Sequence, residues 1–427
     1  MKKILAFVMM LSMTNIALAQ RFEEFFCDST LRIDYTFAGN ADKQYISLDK
    51  LNKMPHWYGR KNNLSKVPVM GNGQITVKDH ATGKVIYMNS FSTLFQEWLN
   101  YDEAKHLSKS FENVFLVPMP MKKADITVDL RNNRQEIVAS FTHTVEPKDI
   151  LIRQTGDKNI TPYKILQEAK DNEHCIHIAY VAEGYTEKEM PIFVKDAEIA
   201  MEALFEHEPF KKYRDRFCIT AVMPASKESG TSEPSKGVWR NTALSSHFDT
   251  FYSNRYLTTL NIKDLHDVLA GTPYEHIIVL VNTEEYGGGG ILNSYNLSMT
   301  HNKYYKQVVV HEFGHSFAGL ADEYAYETEQ LPFYPSDIEP WEPNITTLVN
   351  FDSKWKDMVE EGTPTPTPLS KDPSVINTKV GMFEGAGYSL KGVYRGVQDC
   401  RMRTNATPYF CPICRRALEN TIKFYTE

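Results

Sequence analysis

The stretch Val308-Val309-Val310-His311-Glu312-Phe313-Gly314-His315-Ser316-Phe317-Ala318-Gly319-Leu320-Ala321-Asp322-Glu323-Tyr324 restricts the fold more than any other part of this 427-residue chain. His311 and His315 are four apart, so on a helix their imidazoles lie on one face and reach a single point. Val310, Phe313 and Phe317 fall on other sides, where they hold that helix in a core. Glu312 adjoins the first His and reaches a water held at that point rather than the point itself. Two neutral imidazoles with a carboxylate beside them suit a zinc ion and a water whose proton Glu312 takes. The competing reading is a buried helix whose His residues hydrogen-bond internally.

A zinc that does chemistry needs a third protein ligand and an open fourth position. The tract resembles that of metzincins, in which a Gly ends the helix after the second His and the third ligand lies three residues beyond it. Gly319 stands as that breaker and Asp322 as that ligand, although the interval from His315 to Gly319 is one residue longer than the metzincin one. Glu323 is the next candidate, and Glu384 in Phe383-Glu384-Gly385-Ala386-Gly387-Tyr388 the third. Asp322 also suits a role as acceptor to a ligand His. Cys400-Arg401-Met402-Arg403 offers Met402 for the Met-containing turn of metzincins, as a hydrophobic floor and not a ligand. Tyr324, Tyr388 and Tyr409 are equal candidates for stabilising an oxyanion.

The first residues, MKKILAFVMMLSMTNIALAQ, read as an export signal over 1–19. Lys2 and Lys3 precede the apolar Ile4 to Met13, and Ala17-Leu18-Ala19 gives the small-x-small cleavage pattern. The apolar stretch is too short for a membrane span, and none follows later. The expectation is an exported, periplasmic, cell-surface or secreted protein. With 47 basic against 54 acidic residues and a net charge of −7, no footprint for nucleic acid is present.

Residues 20–150 read as an all-β, sandwich-like N-terminal domain. Leu31, Ile33, Tyr35 and Phe37 alternate, as do Ile126, Val128 and Leu130, while Ile75 and Val77 face Val85 and Tyr87 across a hairpin. A polar linker is expected over 151–172, and an α/β (α+β) domain over 173–427. There, apolar runs at Cys175 to Val181, Phe217 to Met223 and Ile277 to Val281 alternate with helices, one of them opened by a capping box at Thr186 and Glu189. Gly287, Gly288, Gly289 and Gly290, after Tyr286, allow close backbone approach to a ligand or a neighbouring element. Residues 325–400 are weakly periodic and read as a long loop beside the metal motif, with a stiff Thr-Pro run at 363–368. Six cysteines follow the export signal: Cys27, Cys175, Cys218, Cys400, Cys411 and Cys414. Cys411-Pro412-Ile413-Cys414 with Cys400 favours a local disulfide over free thiols, with a metal or redox role as the remaining alternative.

The segment HEFGHSFAGLADEY is similar to the metal-binding segment of the clostridial-type IgA metallo-endopeptidase family. AEGYT, EPFKKYRDRF, SKESGTSEP, NTEEYGGGGILNSY, WEPNIT, FEGAGY and CRMR…FCPIC resemble that family's other landmarks in the same order. The opening LRIDYTFAGN resembles the N-terminal domain of its Bacteroides-type members. The resemblance implies a metzincin-like zinc peptidase domain behind a β-sandwich, with His311, His315 and Asp322 as zinc ligands and Glu312 as the catalytic carboxylate. It places Tyr286 to Gly290 on or beside an upper edge strand, where an extended peptide adds by backbone hydrogen bonds. The function expected is zinc-dependent endoproteolysis of a protein or peptide substrate. The alternatives are a non-catalytic binding protein with a structural or degenerate metal site, or a zinc exopeptidase.

Overall fold

The computed structural model describes residues 21–327 and 334–427; the expected export signal lies outside them. The N-terminal part opens with a one-turn helix, α1 (Phe22–Phe25), and strands β1 (Phe26–Gly39), β2 (Gln44–Pro55), β3 (Gly73–Asp79) and β4 (Val85–Phe91). A short helix α2 (Leu94–Trp98) and strands β5 (Lys109–Pro120), β6 (Ala124–Arg131) and β7 (Ile137–Val145) complete it, and the two-residue β8 (Arg153–Gln154) follows. They form two four-stranded sheets, ordered β5-β1-β2-β8 and β4-β3-β6-β7. Aromatic rings close the space between the sheets: Phe91 of one lies 4.3 Å from Phe115 of the other, centroid to centroid. The expected hairpin is present, with Val77 opposite Tyr87.

β1 differs from its sequence reading. Leu31, Ile33, Tyr35 and Phe37 do face the core, but Arg32 and Asp34 on the opposite face are buried as well. The cause lies far along the chain, in helix α4 (Ile262–Leu269), which covers that face. Arg32 Nη1 donates to Asp267 of α4 at 2.5 Å and Nη2 to the Lys263 carbonyl, while Nε pairs with Asp34 at 2.7 Å.

The second part is built on a six-stranded sheet. Its strands are β9 (Tyr163–Gln167), β10 (Ile176–Glu183), β11 (Phe217–Val222), β12 (His276–Val281), β13 (Gly288–Ile291) and β14 (Tyr295–Met299), in the order β13-β14-β12-β10-β11-β9. The inner four run parallel and both edge strands antiparallel. Period 2 explains why the inner strands are apolar throughout: Ile176, Ile178 and Tyr180 enter one core and Ala179 and Val181 the other. One face packs against the N-terminal sheets and α4. The other packs against α3 (Met190–Phe205), α5 (Tyr305–Ala318) and α6 (Pro412–Thr426). The capping box is formed, with the Thr186 amide and hydroxyl both donating to Glu189, and leads into α3.

The segment expected to be a linker carries two strands. β8 joins β2, and β9 forms the far edge of the six-stranded sheet. β9 is mostly exposed and only five residues long, so no apolar run marks it. The weakly periodic stretch contains a small sheet, ordered β15-β17-β16, of β15 (Ile345–Thr346), β16 (Phe383–Ala386) and β17 (Ser389–Arg395).

Candidate active site

α5 carries His311, Glu312 and His315. Val308, Val309, Val310, Phe313 and Phe317 are buried around it. The helix ends where the sequence says it must. Gly319 takes the left-handed conformation (φ 62°), and the Gly319 and Leu320 amides return to the His315 and Gly314 carbonyls. The chain then turns back so that Asp322 meets the imidazoles. His311 Nε2 stands 3.0 Å from His315 Nε2, and Asp322 Oδ1 lies 3.1 and 3.3 Å from the two.

Each ring is oriented from behind. His311 Nδ1 lies 3.1 Å from the Arg401 carbonyl and His315 Nδ1 2.5 Å from that of Leu320, so both Nδ1 atoms donate and both Nε2 lone pairs face the same point. Asp322 Oδ1 is sealed from solvent and satisfied by no well-directed hydrogen bond, while Oδ2 accepts from the Tyr388 hydroxyl at 2.7 Å. Two convergent lone pairs and an orphaned carboxylate oxygen are a donor set for a cation. Burial pushes Asp322 upward, but the two imidazoles outweigh it and hold the carboxyl well below the usual range. Burial lowers His315, yet the Asp322 charge raises it to about 9. Glu312 is raised by burial, with the imidazoles opposing.

The other candidates divide clearly. Glu323 points away from the imidazoles into a separate buried cluster, where its carboxylate accepts from Asn344. A single step along an extended chain reverses side-chain direction, so Asp322 and Glu323 cannot both face the His pair. Glu384 is remote from the pair and engaged by Lys391 and the Gly392 amide. Met402 is fully buried with its sulfur against Gly314, where an added Cβ would approach Sδ to 2.9 Å. Tyr324 and Tyr388 line the site and their hydroxyls lie 3.0 Å apart; Tyr409 bonds to Asn377 outside it. No disulfide forms among the described residues, contrary to the favoured reading, and all six thiols are free. Cys400 Sγ and Cys414 Sγ remain 3.8 Å apart.

The glycine run sits against this helix on one side and a loop on the other. A Cβ on Gly290 would lie 2.5 Å from the Glu312 carbonyl oxygen, and one on Gly288 2.6 Å from its carboxylate. Gly287 and Gly289 meet Phe248 and Tyr256 in the same way. β13 is an edge strand, as the resemblance implied, but the amide and carbonyl of Gly288 are already bonded to the Arg255 carbonyl and the Leu257 amide. A substrate strand therefore finds that position of the edge occupied.

The imidazoles, Glu312 and Asp322 lie in a cleft of about 1340 Å³. One wall comes from β13, Tyr286, the 251–256 loop and Arg255, and another from Trp341, Glu342 and Tyr388. The N-terminal part supplies Asn72, Glu97, Asn100, Tyr101 and Asn133. Glu97, raised to about 7 by burial, accepts from the Tyr256 hydroxyl at 2.5 Å. The sequence gives no sign of this contribution, because these residues form no motif and reach the cleft only through the packing of two separate sheets. The Thr-Pro run at 363–368 does not line the cleft.

Comparison with known families gives the class of protein to which this site and fold belong, a hydrolase of peptide bonds. A family model described as IgA Peptidase M64 matches residues 165–378 and 374–422, and one described as Peptidase M64 N-terminus matches residues 21–142. The chain belongs to the IgA peptidase M64 family and is a peptidase, acting on protein or peptide. No curated protein matches it. No helix among the described residues is long and apolar enough to cross a membrane.

Proposed function

We propose that the chain is an exported zinc-dependent endopeptidase with a metzincin-like catalytic domain. The observation that carries this reading is the convergence of His311 Nε2, His315 Nε2 and Asp322 Oδ1 on one point beside Glu312. Two imidazoles and one carboxylate, with room left on the cleft side, are the donor set of a catalytic zinc. When bound, zinc supplies a Lewis acid that polarises the scissile carbonyl and acidifies water. Glu312 takes the proton of the attacking water and returns it to the departing amine nitrogen. Asp322, held by Tyr388, and the two imidazoles, held by the Leu320 and Arg401 carbonyls, keep the donors in place.

Endoproteolysis is favoured by the cleft, whose volume exceeds the roughly 300–1,000 Å³ of small-ligand pockets and whose walls come from well-separated segments. Tyr286 and Gly288 to Gly290 line it beside Arg255, so an extended substrate passes over this wall without adding a strand at Gly288, whose amide and carbonyl are taken by Arg255 and Leu257. Gly319 at the helix end and Met402 beneath Gly314 support the metzincin-like reading, and residues 1–19 support export.

Purified protein is expected to hold zinc and to cleave internal bonds of a peptide library. Chelation abolishes this and added zinc restores it. Glu312→Gln keeps the metal and loses at least about 10²-fold in kcat/KM, the typical scale of general acid–base catalysis. A Glu312→Gln enzyme of undiminished activity would overturn the assignment. Products confined to single residues from one end would show an exopeptidase instead.

A further inference from the structure

The described residues contain a second group of convergent donors. Glu323, Cys400, Cys411 and Cys414 each present a ligand atom, and all four atoms lie within 4.8 Å of one another. All four residues are buried, none more than 1% exposed. Cys411 is the N-cap of α6 and Cys414 lies in its first turn, so the CxxC spacing turns both thiols toward Cys400 and Glu323.

We propose that Cys400, Cys411, Cys414 and Glu323 form a structural zinc site, distinct from the His311–His315–Asp322 site and independent of any metal there. The spacing is the first ground. Zinc–sulfur bonds of about 2.3 Å at tetrahedral angles put two ligand sulfurs about 3.8 Å apart. Cys400 Sγ and Cys414 Sγ are 3.8 Å apart, far beyond the roughly 2.05 Å of a disulfide. Cys414 Sγ stands 3.1 Å from Glu323 Oε1, short of the roughly 3.5 Å oxygen–sulfur edge of the same tetrahedron, so a bound ion would part these two atoms slightly. The second ground is the surroundings of the sulfurs. The Cys411 amide donates to Cys400 Sγ at 3.2 Å and the Cys414 amide to Cys411 Sγ at 3.4 Å. Backbone donors aimed at sulfur stabilise thiolates, which is the form that binds metal. The third is Glu323 itself: a carboxylate in the core whose Oε2 has no hydrogen-bond partner. Such an atom is costly unless a cation satisfies it.

Each thiol releases its proton to solvent on binding, so one Zn²⁺ with three thiolates and a carboxylate leaves a buried charge of −2. The guanidinium of Arg395, near Glu323, and the two amide donors offset it. The site would act as a rivet. Glu323 follows Asp322 directly, and its amide donates to the Met402 carbonyl at 2.8 Å. Cys400 lies beside Arg401, whose carbonyl orients His311. A metal here therefore pins together the two segments that shape the first site.

The test is metal content and the spectrum of the cobalt-substituted full-length protein. Wild type should hold about two zinc per chain. His311→Ala should keep one, and with cobalt should retain the intense near-ultraviolet absorption of thiolate-to-metal charge transfer. Cys411→Ser should lose that band and one equivalent. If Cys411→Ser does not fold, an organomercurial titration of wild type replaces it: modification of three thiols should release one zinc. One metal per chain without a charge-transfer band, or a disulfide among the three cysteines in peptide mapping, would overturn the proposal.

Discussion

At the scale of single residues, the candidate site depends on a few orienting bonds. Tyr388 donates to Asp322 Oδ2, and Tyr324 stands behind Tyr388. Removing the Tyr388 hydroxyl leaves Asp322 without its orienting donor. Tyr388→Phe is expected to weaken metal binding by about 10- to 100-fold, the usual effect of losing such a partner, with the fold intact. Competition with a chromophoric chelator measures it, and circular dichroism checks the fold. His311, Glu312 and His315 were legible in the sequence because a helix fixes their relation locally. Choosing Asp322 over Glu323 was harder, since adjacent carboxylates differ only in the direction the turning chain gives them. Glu97 and Arg255 were not legible at all: each reaches the cleft through tertiary packing that no local pattern records.

At the scale of elements, α5 and β13 fit together only because β13 lacks side chains. Gly290→Ala places a methyl group 2.5 Å from the Glu312 carbonyl oxygen, backbone against backbone, with nothing flexible to yield. Overpacking of this kind costs about 1–3 kcal/mol. Urea denaturation should show that loss, and kcat should fall with it because the displaced turn carries Glu312. Gly83→Ala, in a turn where an added Cβ meets nothing within 4 Å, is the control for chain-wide effects, apart from its own local strain at φ 70°. The elements most readable in the sequence were those buried on both faces, β10, β11 and β12, whose apolar runs stand out. β8, β9 and the small sheet of β15 to β17 are not legible in the sequence, because β8 and β15 are only two residues long and β9, β16 and β17 carry no continuous buried apolar run.

At the scale of the whole molecule, the two parts share an ionic joint and a hydrophobic core. Arg32 links Asp34 on its own strand to Asp267 and the Lys263 carbonyl on α4. Arg32→Met leaves Asp34 buried without its counter-charge, with only the Asn52 amide still donating to it, and should cost about 3–5 kcal/mol, while Arg32→Met with Asp34→Leu should recover much of that. Equilibrium unfolding of both variants reads the difference. The buried histidines give the molecule an acid limit. Burial lowers His177 to about 4 and His276 to about 3, against about 6.5 for an ordinary imidazole. Below pH 6.5 the unfolded chain gains protons that the folded one refuses, so stability is full above that pH and falls as pH drops toward 3. Thermal midpoints should decline across that window, and His276→Phe should flatten the decline.

The cleft wall donated by Asn72, Glu97, Asn100, Tyr101 and Asn133 has a consequence for descent. A lineage can retune which polypeptides it accepts by altering α2 and the loops around it, which lie far ahead of the catalytic helix in the chain. Diet can then change while the chemistry stays the same.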